Sequence, residues 1–492
     1  MRPVIKLLNN RLKDQIIDEA ISVLCRIGVV IENPSLLSFL TDHDLPSERS
    51  TGRVYFKQDI IERAIASTPK SFRMFSRDNS ATHHFQGKKV HFTPGSSALY
   101  ILDPATGRTR KPNTGDYIAY VRVVDQLEAI AAQSTAFIPS DIHENVSDSY
   151  RLFLSLLFSK KPVVTGAFTI ESFEIMKDFQ ILVRGDENRL RQKPLTIFSC
   201  CPTSPLKWSH TTSQNLADCA AWNIPVEIIA MPLAGFISPV SLTGTLIQHT
   251  AETLSGVVLA QLINPGTPLL YGGSPAIFDV RYQTTPMGAI ETMMIDCAYN
   301  EIGKRLGIPT QAYIGLSDAK LVDTQAGLES GMGALMAGLS GINSISGPGL
   351  MDFENCFSLS KLVIDHEICR MVFRLLDGII PREDFSAIPI MQELIESQQL
   401  FASEHTVKYL RKEHLFPGKI ITRSNRSRWE EEGGLATSEL AGRKVTGLVD
   451  TYRSQLPDKD TCRTLFSMME KQARRFGQNR LPLLWDSVER FF

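Results

Sequence analysis

The residues best placed to do chemistry stand where apolar stretches end. After the segment Gln311 to Ile314, Gly315 is followed by Asp318, Lys320, Asp323 and Gln325, four polar residues crowded between a strand-like run and the next helix. Lys320 has the type of an imine-forming nucleophile, but Asp318 and Asp323 bracket it and favour a charged ammonium in an ion pair. Downstream, Gly347-Pro348-Gly349 lacks two Cβ atoms and one N–H, so backbone there can come close to whatever lies above it. Gly347 and Gly349 are therefore expected to take Val with the fold kept and turnover lost. Similar strand ends carry Phe168, Tyr271, Phe278, Arg281 and Tyr313. Aromatic faces attract a quaternary ammonium, and a lone Arg or a backbone nest can hold an attached carboxylate. These loops show no Ser-His-Asp order, no HExxH, no paired glutamates and no zinc spacing, and Cys200-Cys201, adjacent on a strand, face opposite ways.

The elements that must position these residues alternate regularly. Apolar strands are expected at 131–138, 162–167, 194–200, 225–231, 268–271, 309–314 and 342–346. Helices are expected between them near 147–159, 171–184, 209–222, 242–263, 286–306 and 323–339, with 357–377 after the last. Most of the strands open with proline, which a first strand position tolerates. Fully apolar strands alternating with helices imply a parallel sheet buried on both faces, and the expected closure is an α/β TIM-type (β/α)8 barrel whose eighth strand the pattern leaves unplaced. An open doubly wound sheet would carry a Gly-rich nucleotide loop after its first strand, and none is present. The helix 323–339 contains Gly327, Gly331, Gly333 and Gly338, at a cost of about 1 kcal/mol each, which close helix-to-strand packing would repay.

Before the barrel, residues 1–112 read as an α+β extension with a helix over 11–27 capped by Gly28, strand-like pieces at 72–76 and 90–93, and a hairpin turning at 104–107. The barrel spans 113–380, and 381–492 read as a C-terminal helical segment packed on it. Seven basic residues between Lys408 and Arg428 read as a solvated face.

The 492 residues carry a net charge of −1, which disfavours a nucleic-acid partner and leaves small or neutral ones. No apolar run reaches membrane length and the start has no signal-peptide core, so a cytoplasmic protein is expected. Its eight cysteines lack CxxC spacing and are expected as free thiols.

Three stretches, YGGSPAIFDVRYQTTPMGAIE, LSDAKLVDTQAGLESGMGALMAGLSGINSISGPGLMDFENCFSLSKLVIDHEICRM and SEHTVKYLRKEHLFP, together closely resemble the trimethylamine methyltransferase family of corrinoid-dependent enzymes. The opening EAISVLCRIGVVIEN and the hairpin LDPATGRTRKP extend the resemblance over most of the chain. It implies a TIM-type barrel that moves a methyl group from a methylated amine to the Co(I) corrinoid (cobalamin) of a separate partner protein, with no metal bound directly. One branch of the family contains pyrrolysine and uses trimethylamine. This chain has only standard residues and resembles the other branch, whose substrates are quaternary amines such as glycine betaine. Asp318, Lys320, Gln325, Gly347, Pro348 and Gly349 match motifs of that family and are expected near the site, as cofactor-side residues, while the aromatic set with Arg281 is expected at the substrate by residue type alone. Two other readings stay open on sequence: a non-catalytic betaine-binding or regulatory protein with the same pocket, and a barrel lyase using Lys320.

Overall fold

The computed structural model describes residues 2–104, 106–490 and 492; Ala105, in the turn expected at 104–107, lies outside them. The architecture is mixed α/β. Its parallel strands are β1 (His91–Thr93), β2 (Gln133–Ser134), β3 (Val163–Thr165), β4 (Thr196–Cys200), β5 (Val226–Ala230), β6 (Leu269–Gly273), β7 (Gln311–Ala312) and β8 (Ser344–Ser346). The helices after them, in the same order, are α1 (Thr114–Asp125), α2 (Ser147–Phe158), α3 (Ile170–Arg184), α4 (His210–Ala221), α5 (Leu242–Ile263), α6 (Ile290–Arg305), α7 (Thr324–Ser340) and α8 (Leu359–Asp377). One sheet has the order β6-β5-β4-β3-β2 and another β7-β8-β1, with every ladder parallel. Single parallel bridges link their edges, Tyr271 with Thr310 and Phe92 with Ile130.

The prolines that precede the strands donate nothing, yet their carbonyls join the ladders. Pro162, Pro225, Pro268 and Pro309 accept from the N–H groups of Gln133, Phe198, Val226 and Tyr271 at 2.8, 2.9, 3.2 and 2.8 Å. That arrangement suits a strand's first position and no later one.

Register decides which side chains face inward. Ser199, Glu227 and Leu270 stand side by side across β4, β5 and β6. Leu270 packs with Ile197, Met74 and Phe85, the last two from the hairpin Phe72–Phe75/Ala81–Phe85. The Glu227 row therefore faces the interior. One residue on, Ile228, Tyr271 and Thr310 face the helices.

Outside, α5 is buried along most of its length because the helices Asn10–Arg26 and Gln58–Ser67 cover it. Of the four α7 glycines, two are explained by close packing. A Cβ on Gly333 would lie 2.8 Å from the Gly315 nitrogen and one on Gly338 2.5 Å from Val372 of α8, whereas Gly327 and Gly331 face open space. In the C-terminal segment, helix Thr437–Asp450 packs on α8 and α1, and Lys459–Arg475 on α3 and α2. Within the basic run, Lys408, Arg426 and Arg428 pair with exposed glutamates, as a solvated face does. All eight cysteines are free, and among the described residues no helix is long and apolar enough to cross a membrane.

The turn at 347–349 corrects one expectation. Gly347, Pro348 and Gly349 are buried rather than open to a ligand. A Cβ on Gly347 would collide with the Ile314 carbonyl, and one on Gly349, at φ +90°, with the Phe357 ring. Gly347→Val should accordingly lower the unfolding free energy by about 3 kcal/mol or more, measured by urea denaturation. A parent-like midpoint would show that the backbone can give way there.

Candidate active site

Glu227 is the one charged residue in β5, and the pleat turns it inward. Ser199 Oγ donates to its Oε1 at 2.6 Å, while Oε2 has no partner among the described residues. Burial pushes this carboxyl up to about 7, with the Ser199 bond opposing. Two strands along, on β7, Gln311 Oε1 accepts from the Gly273 N–H of β6 at 3.1 Å and its Nε2 is unpartnered among the described residues; so is Ser346 Oγ of β8. Just beyond β7, the Tyr313 hydroxyl shares a 2.7 Å hydrogen bond with Ser96, in the loop after β1. Burial, then the nearby Glu227, holds that phenol well above its usual range.

Loops above the strands add three groups. Glu354, in the β8–α8 connection, receives a 3.4 Å hydrogen bond from Ser274 Oγ, which follows β6. Burial first, then Asp318, pushes its carboxyl up to about 7. Glu354 and Cys201 are both partly exposed rather than fully covered. Burial lifts the Cys201 thiol to about 12, so it is no thiolate nucleophile. The two glutamate carboxyls, the Tyr313 hydroxyl and the Cys201 thiol thus form one electrostatically linked cluster, whose carboxyls, partly protonated near pH 7, can gain negative charge toward a cation. Among the described residues no group of histidine, cysteine, aspartate or glutamate is arranged to hold a metal ion.

The aromatic set predicted from sequence does not converge. Tyr313 reaches the interior. Tyr271 does not: its hydroxyl donates to Thr250 of α5 at 2.9 Å and its ring packs toward His249 and Tyr299, because it lies one residue out of step with Glu227. Phe278 stacks on Phe236 at the rim, with centroids 4.8 Å apart. Phe168, 44% exposed, covers the Arg151 guanidinium. Arg281 is 76% exposed and paired with Asp279 of its own loop, so no carboxylate anchor is built there.

The polar cluster after β7 is mostly structural. Asp318 accepts from the N–H groups of Met287 and Gly288 at 3.0 and 2.8 Å, fixing the loop ahead of α6, and burial lifts it to about 6. Gln325 is exposed and donates to Glu329 at 2.9 Å. Lys320 donates to the Asp318 carbonyl at 2.6 Å and pairs with Asp352, an engaged ammonium rather than an imine-forming amine. Glu227 was legible as the one charge in the apolar run PVEIIAMP; Glu354 had no such signal. The inventory without paired glutamates missed both. Cavities of about 970 and 600 Å³ lie instead on the flank, between α8 and the C-terminal segment.

Comparison with known proteins gives this chemistry a class: its relatives are named methyltransferases, and this chain is a methyltransferase. It belongs to the trimethylamine methyltransferase (MTTB) family, whose model matches residues 1–477. It is 27% identical over 461 residues to the trimethylamine methyltransferase MttB of Desulfitobacterium hafniense (strain DSM 10664 / DCB-2), covering 94% of this chain and 92% of that one. It is 26% identical over 479 residues to a glycine betaine methyltransferase of Desulfitobacterium hafniense (strain Y51), covering 97% and 99%. The crystal structure of the Methanosarcina barkeri monomethylamine methyltransferase MtmB superimposes with a TM-score of 0.50 at 12% identity, over 96% of this chain and 88% of that one, a likeness of fold.

A carboxyl whose folded-state pKa is raised keeps its proton where the unfolded chain has lost it. Stability from Glu227 therefore falls as pH rises from its ordinary 4.5 to about 7, and is level above. Glu227→Gln should remove part of that fall, seen as a smaller drop in urea midpoint between pH 5 and pH 8 than the parent shows. An identical drop would mean that Glu227 is not held protonated.

Proposed function

We propose that this chain moves a methyl group from a quaternary amine of the glycine betaine class to the Co(I) corrinoid of a separate protein. The observation that carries the reading is the placement of two carboxyl groups without a cationic partner, Glu227 inside β5 and Glu354 in the β8–α8 connection, near Tyr313. The scaffold is read as a closed (β/α)8 barrel, since the two parallel sheets and the two linking bridges form a ring. Its first strand is β1, which lies inside the segment 1–112 otherwise proposed as the extension, with 113–380 completing the barrel and 381–492 packed on it.

A quaternary nitrogen brings a permanent positive charge and no N–H, so hydrogen bonds cannot select it. Desolvated carboxylates and an aromatic face can. Entry of the cation favours ionisation of Glu227 and Glu354, and their protons leave. The departing tertiary amine is neutral, so methyl transfer requires no general acid, in agreement with a site whose carboxyl groups hold charge rather than pass a proton to a leaving group. The corrinoid would supply the nucleophile as a second substrate. Orientation and exclusion of water remain for the protein, and here Tyr313, fixed by Ser96, forms one wall. At the rim Phe236, Val240, Val280 and Tyr282 are 65, 78, 72 and 74% exposed, apolar area suited to cover by a corrinoid-bearing partner.

Incubation with a reduced corrinoid and a panel of methylated amines tests the reading through the methyl–cobalt absorbance. Glycine betaine or a related betaine should react at least about tenfold faster than trimethylamine, whose nitrogen carries no fixed charge. Equal rates would overturn the assignment.

A further inference from the structure

Asp352, Phe353 and Glu354 have φ of 50°, 55° and 68°, three successive non-glycine residues in the left-handed region. A Cβ there crowds the following carbonyl, so side-chain-bearing residues visit it singly, and a run of three persists only where its surroundings impose it. The flanking strands, Leu350–Met351 and Cys356–Phe357, pair as an antiparallel hairpin that a common turn would close. This turn does something else as well. It directs Glu354 away from the hairpin toward Ser274, among the ends of β4, β6 and β7, where Cys201 and Tyr313 both sense its charge.

The restraint comes from the loop after β7. Lys320 Nζ sits 3.8 Å from the centre of the Phe353 ring, 3.4 Å from Asp352 Oδ1 and 2.6 Å from the Asp318 carbonyl. One ammonium thus grips two of the three strained residues and ties them to its own loop. Backbone bonds complete the hold: Asp352 N–H to Ala319 O at 3.2 Å, and Leu99 and Tyr100 N–H to Asn355 O, both at 3.0 Å. Of the two interior glutamates, Glu227 is fully covered and bonded to Ser199, whereas Glu354 keeps surface that a ligand can reach.

Resting on the quaternary-amine reading above, we propose that Glu354 is the counter-ion of the substrate's quaternary nitrogen, aimed by the left-handed turn, and that Lys320 is a positioning residue that clamps this turn. Lys320 then touches neither substrate nor corrinoid. Its aliphatic replacement frees Phe353 and Asp352, and Glu354 loses its aim.

Calorimetry with two ligands separates charge recognition from shape. Glycine betaine and 3,3-dimethylbutanoate have the same carboxylate and nearly the same outline, but the second carries an uncharged tert-butyl group. Glu354→Gln should weaken betaine binding at least about tenfold and leave 3,3-dimethylbutanoate within about twofold of the parent. Lys320→Met should show the same selective loss with a parent-like unfolding midpoint, and Lys320→Arg, which keeps the cation over Phe353, should recover most of it. Equal losses for both ligands, or no loss of betaine, would overturn the counter-ion assignment. A Lys320→Met variant with parental betaine affinity would overturn the clamp. A parent that binds neither betaine nor tetramethylammonium would instead sink the quaternary-amine reading on which both rest.

Discussion

A carboxylate buried in a protein interior is stable only as a neutral acid or beside a cation. Moving an isolated ionised carboxyl out of water costs several kcal/mol even after the protein relaxes. Glu227 stands on a strand whose other residues are apolar, takes one hydrogen bond and leaves one oxygen unpartnered among the described residues. Glu354 meets the same constraint with one serine. Neither has an arginine or lysine in its set of charge partners. A fold that keeps two such groups in its interior holds electrostatic energy that a cationic ligand would release. That is the physical basis of the proposed quaternary-amine substrate.

The strand period sorts the inside from the outside with little room for error. Glu227 and Tyr271 sit on adjacent rows of adjacent strands, yet one faces the interior and the other α5 and α6. A shift of one residue would exchange them and put a carboxyl against the helices. The proline-led strand starts resist such a slip, since each ring can occupy only a position whose N–H is not needed.

Much of the scaffold was legible in the sequence. The alternation of apolar strands and helices gave seven strands, with 131–138 and 309–314 expected much longer than the observed Gln133–Ser134 and Gln311–Ala312, and the helices between them at nearly their observed bounds, because fully buried elements show continuous apolar runs. The strand His91–Thr93 was visible as a piece but not as part of the parallel array, since the Thr114–Asp125 helix follows it only after the hairpin around Tyr100–Arg110. The site was less legible. An inventory of loop residues favours aromatics by type and cannot tell which row of a strand faces inward, so Tyr271 was placed wrongly while Glu227, inside the strand itself, was passed over. Glu354 depends on a backbone conformation that residue types give no reason to expect. The glycines at 347 and 349 were read as room for a ligand, whereas their missing Cβ atoms make room for Ile314 and Phe357.

The central claim is that the interior carboxyl groups ionise to receive a cation. Calorimetric titration of the protein with glycine betaine at pH 7, in two buffers of different ionisation enthalpy, counts the protons that binding displaces. With Glu227 and Glu354 both half-protonated near that pH, the account predicts release of roughly one proton in total per betaine bound. Binding with no proton released would contradict it.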